Sequence, residues 1–98
     1  MPMTGKPLFV PLKTEYFRAF ERGEKTIEYR IHGPRWSHDT CSPGRPVVLS
    51  HGYSGRRLRG RVRMARVIPA SAAPRAVFDV WPHLGPRDEI CAISIDLA

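Results

Sequence analysis

Cysteine is scarce in this sequence: Cys41 and Cys91 stand far apart in a chain of 98 residues. They form neither a CxxC pair nor a disulfide framework, so the expectation is two reduced thiols in a cytoplasmic protein. Long apolar runs are missing. None approaches the roughly 20 residues that a membrane-spanning helix needs, and no membrane partner is expected. The opening stretch MPMTGKPLFVPLK has no uninterrupted apolar segment, so no secretory signal is expected. There is no Walker loop, no GxGxxG and no Ser-His-Asp order, which removes the familiar phosphate cradles and acyl-transfer triads. His38 and Cys41 share an H-x-x-C spacing without a second pair, so neither a metal nor a cofactor is expected. No internal repeat and no linker composition interrupts the chain, and its length supports a single core, so one domain over 1–98 is expected.

Acidic residues are few as well, 9 against 16 basic, for a formal net charge of +7. Lysine contributes little of this, with 3 residues against 13 arginines. The excess is local. Residues 56–66 hold six arginines and no acid, whereas the rest of the chain is almost balanced. A field concentrated in this way suits a polyanion better than a small neutral ligand. Hydrophobic residues make up 42% of the chain, enough to exclude compositional disorder.

The apolar run at 7–12 predicts a first strand, placed at an edge or at a sheet entrance by Pro11. Thr14 is set to cap the helix that follows, with Glu15 in its first turn and Tyr16, Phe17 and Phe20 on one face. Gly23 is placed to end that helix. Residues 25–31 alternate, with Ile27, Tyr29 and Ile31 on one side and Thr26, Glu28 and Arg30 on the other, which predicts a half-buried strand. A long loop over 32–45 leads to a strand at 46–51, a glycine turn at 52–56 and a strand from about 57 to 68. A short helix or turn is expected at 76–82, stopped by Pro82, and a last strand at 89–97. This order predicts an α+β, mainly β fold: a small, partly closed β-barrel with one or two short helices.

The clearest signal lies on the strand beginning at 57. Arg57, Arg59, Arg61 and Arg63 occupy alternate positions, so a regular strand sets them on one face about 7 Å apart. Such a row gains from a counter-ion, and a nucleic-acid backbone supplies anionic oxygens that guanidinium groups bind through paired bonds. The same row also serves as a solvated face that blunts an edge. Trp36 and Tyr53 lie in loops beside it. Each is a candidate to stack on an unpaired base, and Trp36 is equally suited to close one end of the core.

The segment Gly23-Glu24-Lys25-Thr26-Ile27-Glu28-Tyr29-Arg30 resembles the Gly-x-Lys-Thr-x-Glu-x-Arg signature of the ASCH domain (activating signal cointegrator-1 homology), a member of the PUA-like superfamily. LKTEYFRAFERG upstream and PGRPVVLSHGYSGRRLRGRV downstream are similar to the neighbouring pieces of that domain. The resemblance covers about residues 7–68. It implies a small PUA-like barrel with a nucleotide-sized cleft beside the Lys-Thr strand, and RNA or another single-stranded nucleic acid as partner. Some small members are hydrolases, acting on N4-acetylcytidine or as a ribonuclease. The amidases use a lysine, a threonine and a glutamate. Lys25 matches the lysine, but the threonine position falls on Glu28, and residues 67–87 offer Asp79 and no glutamate.

The leading expectation is therefore a nucleic-acid-binding domain, with Lys25, Arg30, Trp36, Tyr53, Arg57, Arg59, Arg61 and Arg63 as binding residues. The alternative is a small hydrolase, an N4-acylcytidine amidohydrolase or a ribonuclease, with Lys25, Thr26 and Glu28 as catalytic residues and a modified nucleoside among its substrates. A third reading sets the arginine row against an acidic protein partner. The sequence leaves the oligomeric state open.

Overall fold

The computed structural model describes residues 6–53 and 55–98. The leader expectation for the start of the chain and the middle of the 52–56 turn fall partly on residues 1–5 and 54, outside the described residues. Strand β1 (Leu8–Leu12) leads into helix α1 (Thr14–Glu21), then strand β2 (Ile27–Ile31). Strands β3 (Pro46–His51) and β4 (Arg57–Pro69) form a hairpin. A short 3-10 turn (Ala70–Ala72), helix α2 (Arg75–Val80) and strand β5 (Glu89–Leu97) complete the chain. The five strands make one curled sheet in the order β1-β3-β4-β5-β2, a half-barrel. Among the described residues β1 and β3 run parallel, and every other neighbouring pair is antiparallel. This is the mainly β, partly closed arrangement with short helices that the element order predicts.

The concave side of the sheet is filled by Val10 of β1, Leu49 of β3, Val62 of β4 and Ile93 of β5. Phe17 and Phe20 of α1 close over them, at 2% and 1% exposure. Each such side chain contributes about 1.5–3 kcal/mol through the area it removes from water. The second half of β4 and the start of β5 carry a smaller cluster on the other face, where Ile90 packs with Ala70, Val77, Ile68, Phe78 and Trp81. Helix α2 therefore covers one end of the convex side. The Cα radius of gyration, 13.1 Å, matches the roughly 13 Å expected for one compact unit of this length. No helix among the described residues is long and apolar enough to cross a membrane.

Two local details differ from the sequence reading. Lys13, not Thr14, stands at the N-cap of α1 and makes no side-chain cap. Thr14 is instead the first helical residue, and its hydroxyl is hydrogen-bonded to Nε2 of His51 at 2.7 Å. The end of α1 follows expectation. Gly23 takes φ of +76°, and the amides of Glu24 and Lys25 both donate to the carbonyl of Ala19. That double closure sets Lys25 directly beneath the helix, before β2 begins.

The second difference concerns the arginine row. Val62 pairs with Ile95 and Met64 with Ser94, so a β-bulge inserts Arg63 as an unpaired extra residue. Arg63 thereby leaves the row. The register places Met64 and then Arg66 on the face of Arg57, Arg59 and Arg61, opposite Ser94 and Ala92. Four aligned arginines become three, followed by a methionine 44% exposed.

Candidate functional site

Strands β1 and β2 are the two edges of the half-barrel, and a cleft of about 190 Å3 lies beside them. It is lined by Pro11 and Leu12 at the end of β1, Lys13 after it, Tyr16 of α1, Lys25, and Glu28, Tyr29 and Arg30 of β2. Ala76, Val77 and Val80 of α2, with Trp81 after it, form the opposite wall. Residues from both faces of β2 reach the cleft because β2 is an edge strand.

Glu28 organises the polar side. Pairing with Ile93 turns it to the concave face, where it is 7% exposed. A buried carboxylate requires partners, and it has two. Arg30 Nε donates to Glu28 Oε2 at 2.8 Å, and Lys25 Nζ lies 3.5 Å from Glu28 Oε1. Arg30 also donates through Nη2 to the carbonyl of Pro11 at 2.8 Å, and its guanidinium lies 4.8 Å from the centre of the Trp36 ring. The Lys25 amine sits within 5.5 Å of the ring centres of Tyr16 and Phe20 and 5.4 Å from that of Tyr29. Such rings attract a cation through their negative faces. Burial, then the nearby Glu15, Asp79 and Glu28, pushes the Tyr16 phenol above its ordinary value, so it faces the cleft as a neutral hydroxyl.

Lys13, Lys25 and Arg30 against Glu28 leave the lining with an excess of two positive charges. The chemistry on offer is a carboxylate acceptor flanked by cationic donors, between aromatic and aliphatic walls. That combination suits a flat ring with polar edges and an anionic substituent.

The structure thus brings together three of the residues expected from sequence, Lys25, Glu28 and Arg30. Thr26 is exposed and outside the cleft lining; its carbonyl accepts the amide of Ile95. Trp36 packs against the main core, with the guanidiniums of Arg30 and Arg35 over its ring, and takes the core-closing role. Tyr53 is 79% exposed beside Phe9, on the hairpin. Arg57, Arg59 and Arg61 pair across the sheet with Ser50, Val48 and Pro46, residues that alternate with the core-facing Val47 and Leu49. They therefore occupy the convex face, away from the concave face of Glu28 and Arg30. Arg63 is exposed at the bulge. A single interface joining the Lys-Thr strand to the arginine row is not what the fold builds.

Lys13, Tyr16, Tyr29 and Trp81 also line the cleft; the sequence pattern places Tyr16 and Tyr29 on apolar faces and Trp81 in a short helix or turn, and gives Lys13 no role. Their one common signal is a long or aromatic side chain with a polar tip, a type suited to half-buried walls. Among the described residues no group of three or more His, Cys, Asp or Glu is placed to hold a metal ion. No protein-family model matches this chain, and no curated protein matches it.

Proposed function

We propose that this chain binds nucleic acid, RNA or another single-stranded form, by seating one nucleotide unit in the cleft beside Lys25, Glu28 and Arg30. The observation that carries the reading is the convergence of these three side chains in one aromatic-walled cleft. A base offers ring donors to the Glu28 carboxylate and acceptors to the Lys25 amine, while its faces meet the aromatic and aliphatic walls. Lys13, exposed at the mouth, supplies charge for a phosphate. The resemblance to the ASCH domain supports the same reading, since Lys25, Glu28 and Arg30 are three of its signature positions. The hydrolase reading finds less support. Among the described residues the cleft lining contains no serine or threonine hydroxyl, so attack from them falls to water or to the phenols of Tyr16 and Tyr29.

Calorimetric titration with nucleoside monophosphates and with N4-acetylcytidine tests the proposal. The wild type binds at least one of them, and Lys25→Ala weakens that binding about tenfold or more, the loss of one charge-assisted contact. Equal affinity in Lys25→Ala removes the cleft as the site. Release of acetate from N4-acetylcytidine, abolished by Lys25→Ala, replaces binding with hydrolysis as the function.

A further inference from the structure

The convex face of β1, β3 and β4 carries a second surface that the cleft does not use. Across this face Phe9, Val48 and Arg59 stand side by side on neighbouring strands. Arg57 lies over Phe9, 5.1 Å from its ring centre, and donates to the carbonyls of Gly55 and Tyr53. The ring of Tyr53 stands 6.2 Å from that of Phe9 and is 79% exposed. Arg57 is thus held in place as a planar, charged lid on an aromatic ring. Arg61 donates to the carbonyl of Gly44 at 2.8 Å. Among the described residues, none of Arg57, Arg59, Arg61 or Arg66 belongs to an ion pair. The one carboxylate that the register sets against the row is Asp96, opposite Arg61.

We infer that this face is a second binding surface, separate from the cleft, and that its occupant is a single-stranded nucleic acid. Unneutralised arginines at alternate strand positions, about 7 Å apart, match a flexible polyanion. The exposed Tyr53 selects among polyanions, because a base stacks on a phenol ring whereas an acidic peptide has no comparable group. The cleft sits at the open edges of β1 and β2 and shares none of Phe9, Tyr53, Arg57, Arg59 or Arg61 with this surface, so their occupants do not compete. This inference does not require the cleft to bind a nucleotide.

The test uses a fluorescein-labelled single-stranded RNA of uridines followed by anisotropy, beside a polyglutamate peptide of equal charge. Three arginine contacts give a slope of log K against log salt of about −2, or roughly 20-fold weakening between about 50 and 200 mM salt. The double variant Arg59→Ala, Arg61→Ala flattens that slope to below half, and Tyr53→Ala weakens the RNA but leaves polyglutamate unchanged. A nucleoside monophosphate at saturating concentration leaves the RNA bound. Full displacement by that mononucleotide, or undiminished RNA affinity in the double arginine variant, overturns the inference. Polyglutamate binding as tightly as RNA assigns the face to an acidic protein and overturns it too. If no mononucleotide binds but the arginine and tyrosine effects appear, the cleft proposal fails and the convex surface stands. Circular dichroism of each variant separates loss of binding from loss of fold.

Discussion

Arg30 of β2 donates to the main-chain carbonyl of Pro11 in β1 at 2.8 Å, joining the two edge strands of the half-barrel with one side chain. Among the described residues no strand pairing links these edges, so the guanidinium stands where a closed barrel has a ladder of backbone bonds. Glu28 orients it from the same strand, through Nε, and Trp36 lies under its plane.

Arg30→Lys should therefore open the seam. Lysine keeps the charge but lacks the planar fork that reaches Glu28 and Pro11 together. Loss of a charged donor to a partly buried carbonyl costs about 1.5–3 kcal/mol. Urea denaturation should show this loss, and nucleotide binding in the cleft should fall with it, because Pro11 and Arg30 both line that site. Wild-type stability in Arg30→Lys shows that the seam carries no load.

Much of the scaffold is legible in the sequence, and the failures have physical causes. The alternation in β2 is plain, but it does not say which side is inside. Ile31 is 41% exposed and Glu28 is 7% exposed, the reverse of what polarity alone dictates. The edge position leaves Ile31 uncovered, and two cations make the buried Glu28 tolerable. The arginine periodicity runs unbroken through Arg63, whereas its bulge exists only in the pairing with β5. Tyr16, Tyr29 and Trp81 meet at one cleft because α1 and α2 fold back toward β2, and no local pattern encodes that meeting.

The Lys25–Glu28–Arg30 group should divide its energy unequally. The Arg30 contact is a 2.8 Å hydrogen bond, while Lys25 stands 3.5 Å away with much of its stabilisation from aromatic rings. Double-mutant cycles with Glu28→Gln should give about 2 kcal/mol of coupling to Arg30→Ala and about 1 kcal/mol or less to Lys25→Ala. Glu28→Gln by itself should destabilise by about 3 kcal/mol, since it strands two partly buried cations. A larger coupling to Lys25 would reverse this assignment and make the lysine the structural partner.

Gly60 of β4 pairs with Leu97 of β5, where the backbone leaves no room for a side chain. A Cβ atom there would lie 2.3 Å from the carbonyl oxygen of Asp96 and 3.0 Å from Cα of Leu97, all backbone. No rotamer change relieves such a contact, so Gly60→Ala must displace the strand itself. The expected cost is about 1–3 kcal/mol, the range for forced overpacking. It should also disturb Arg59 and Arg61 on either side, reducing oligonucleotide binding on the convex face. Unchanged denaturation by urea would mean that β5 yields freely at its end.

Cys41 and Cys91 converge in the main core, both at 0% exposure. Burial, with Cys41 beside it, pushes the Cys91 thiol up to about 12 from an ordinary 9.0. The folded state therefore holds this proton more tightly than the unfolded chain does. The sign follows from linkage: the contribution is complete below 9.0 and is lost as the pH climbs toward about 12. Cys91→Ala lacks this dependence. It should start less stable near about pH 8, by about 1 kcal/mol for the lost sulfur, and the gap to wild type should narrow above pH 9.0. Urea midpoints of both proteins across that range measure it, and a constant gap would show that Cys91 titrates alike in both states. Thiol reagents add an independent check at about pH 8, where both cysteines should react after unfolding and neither before it.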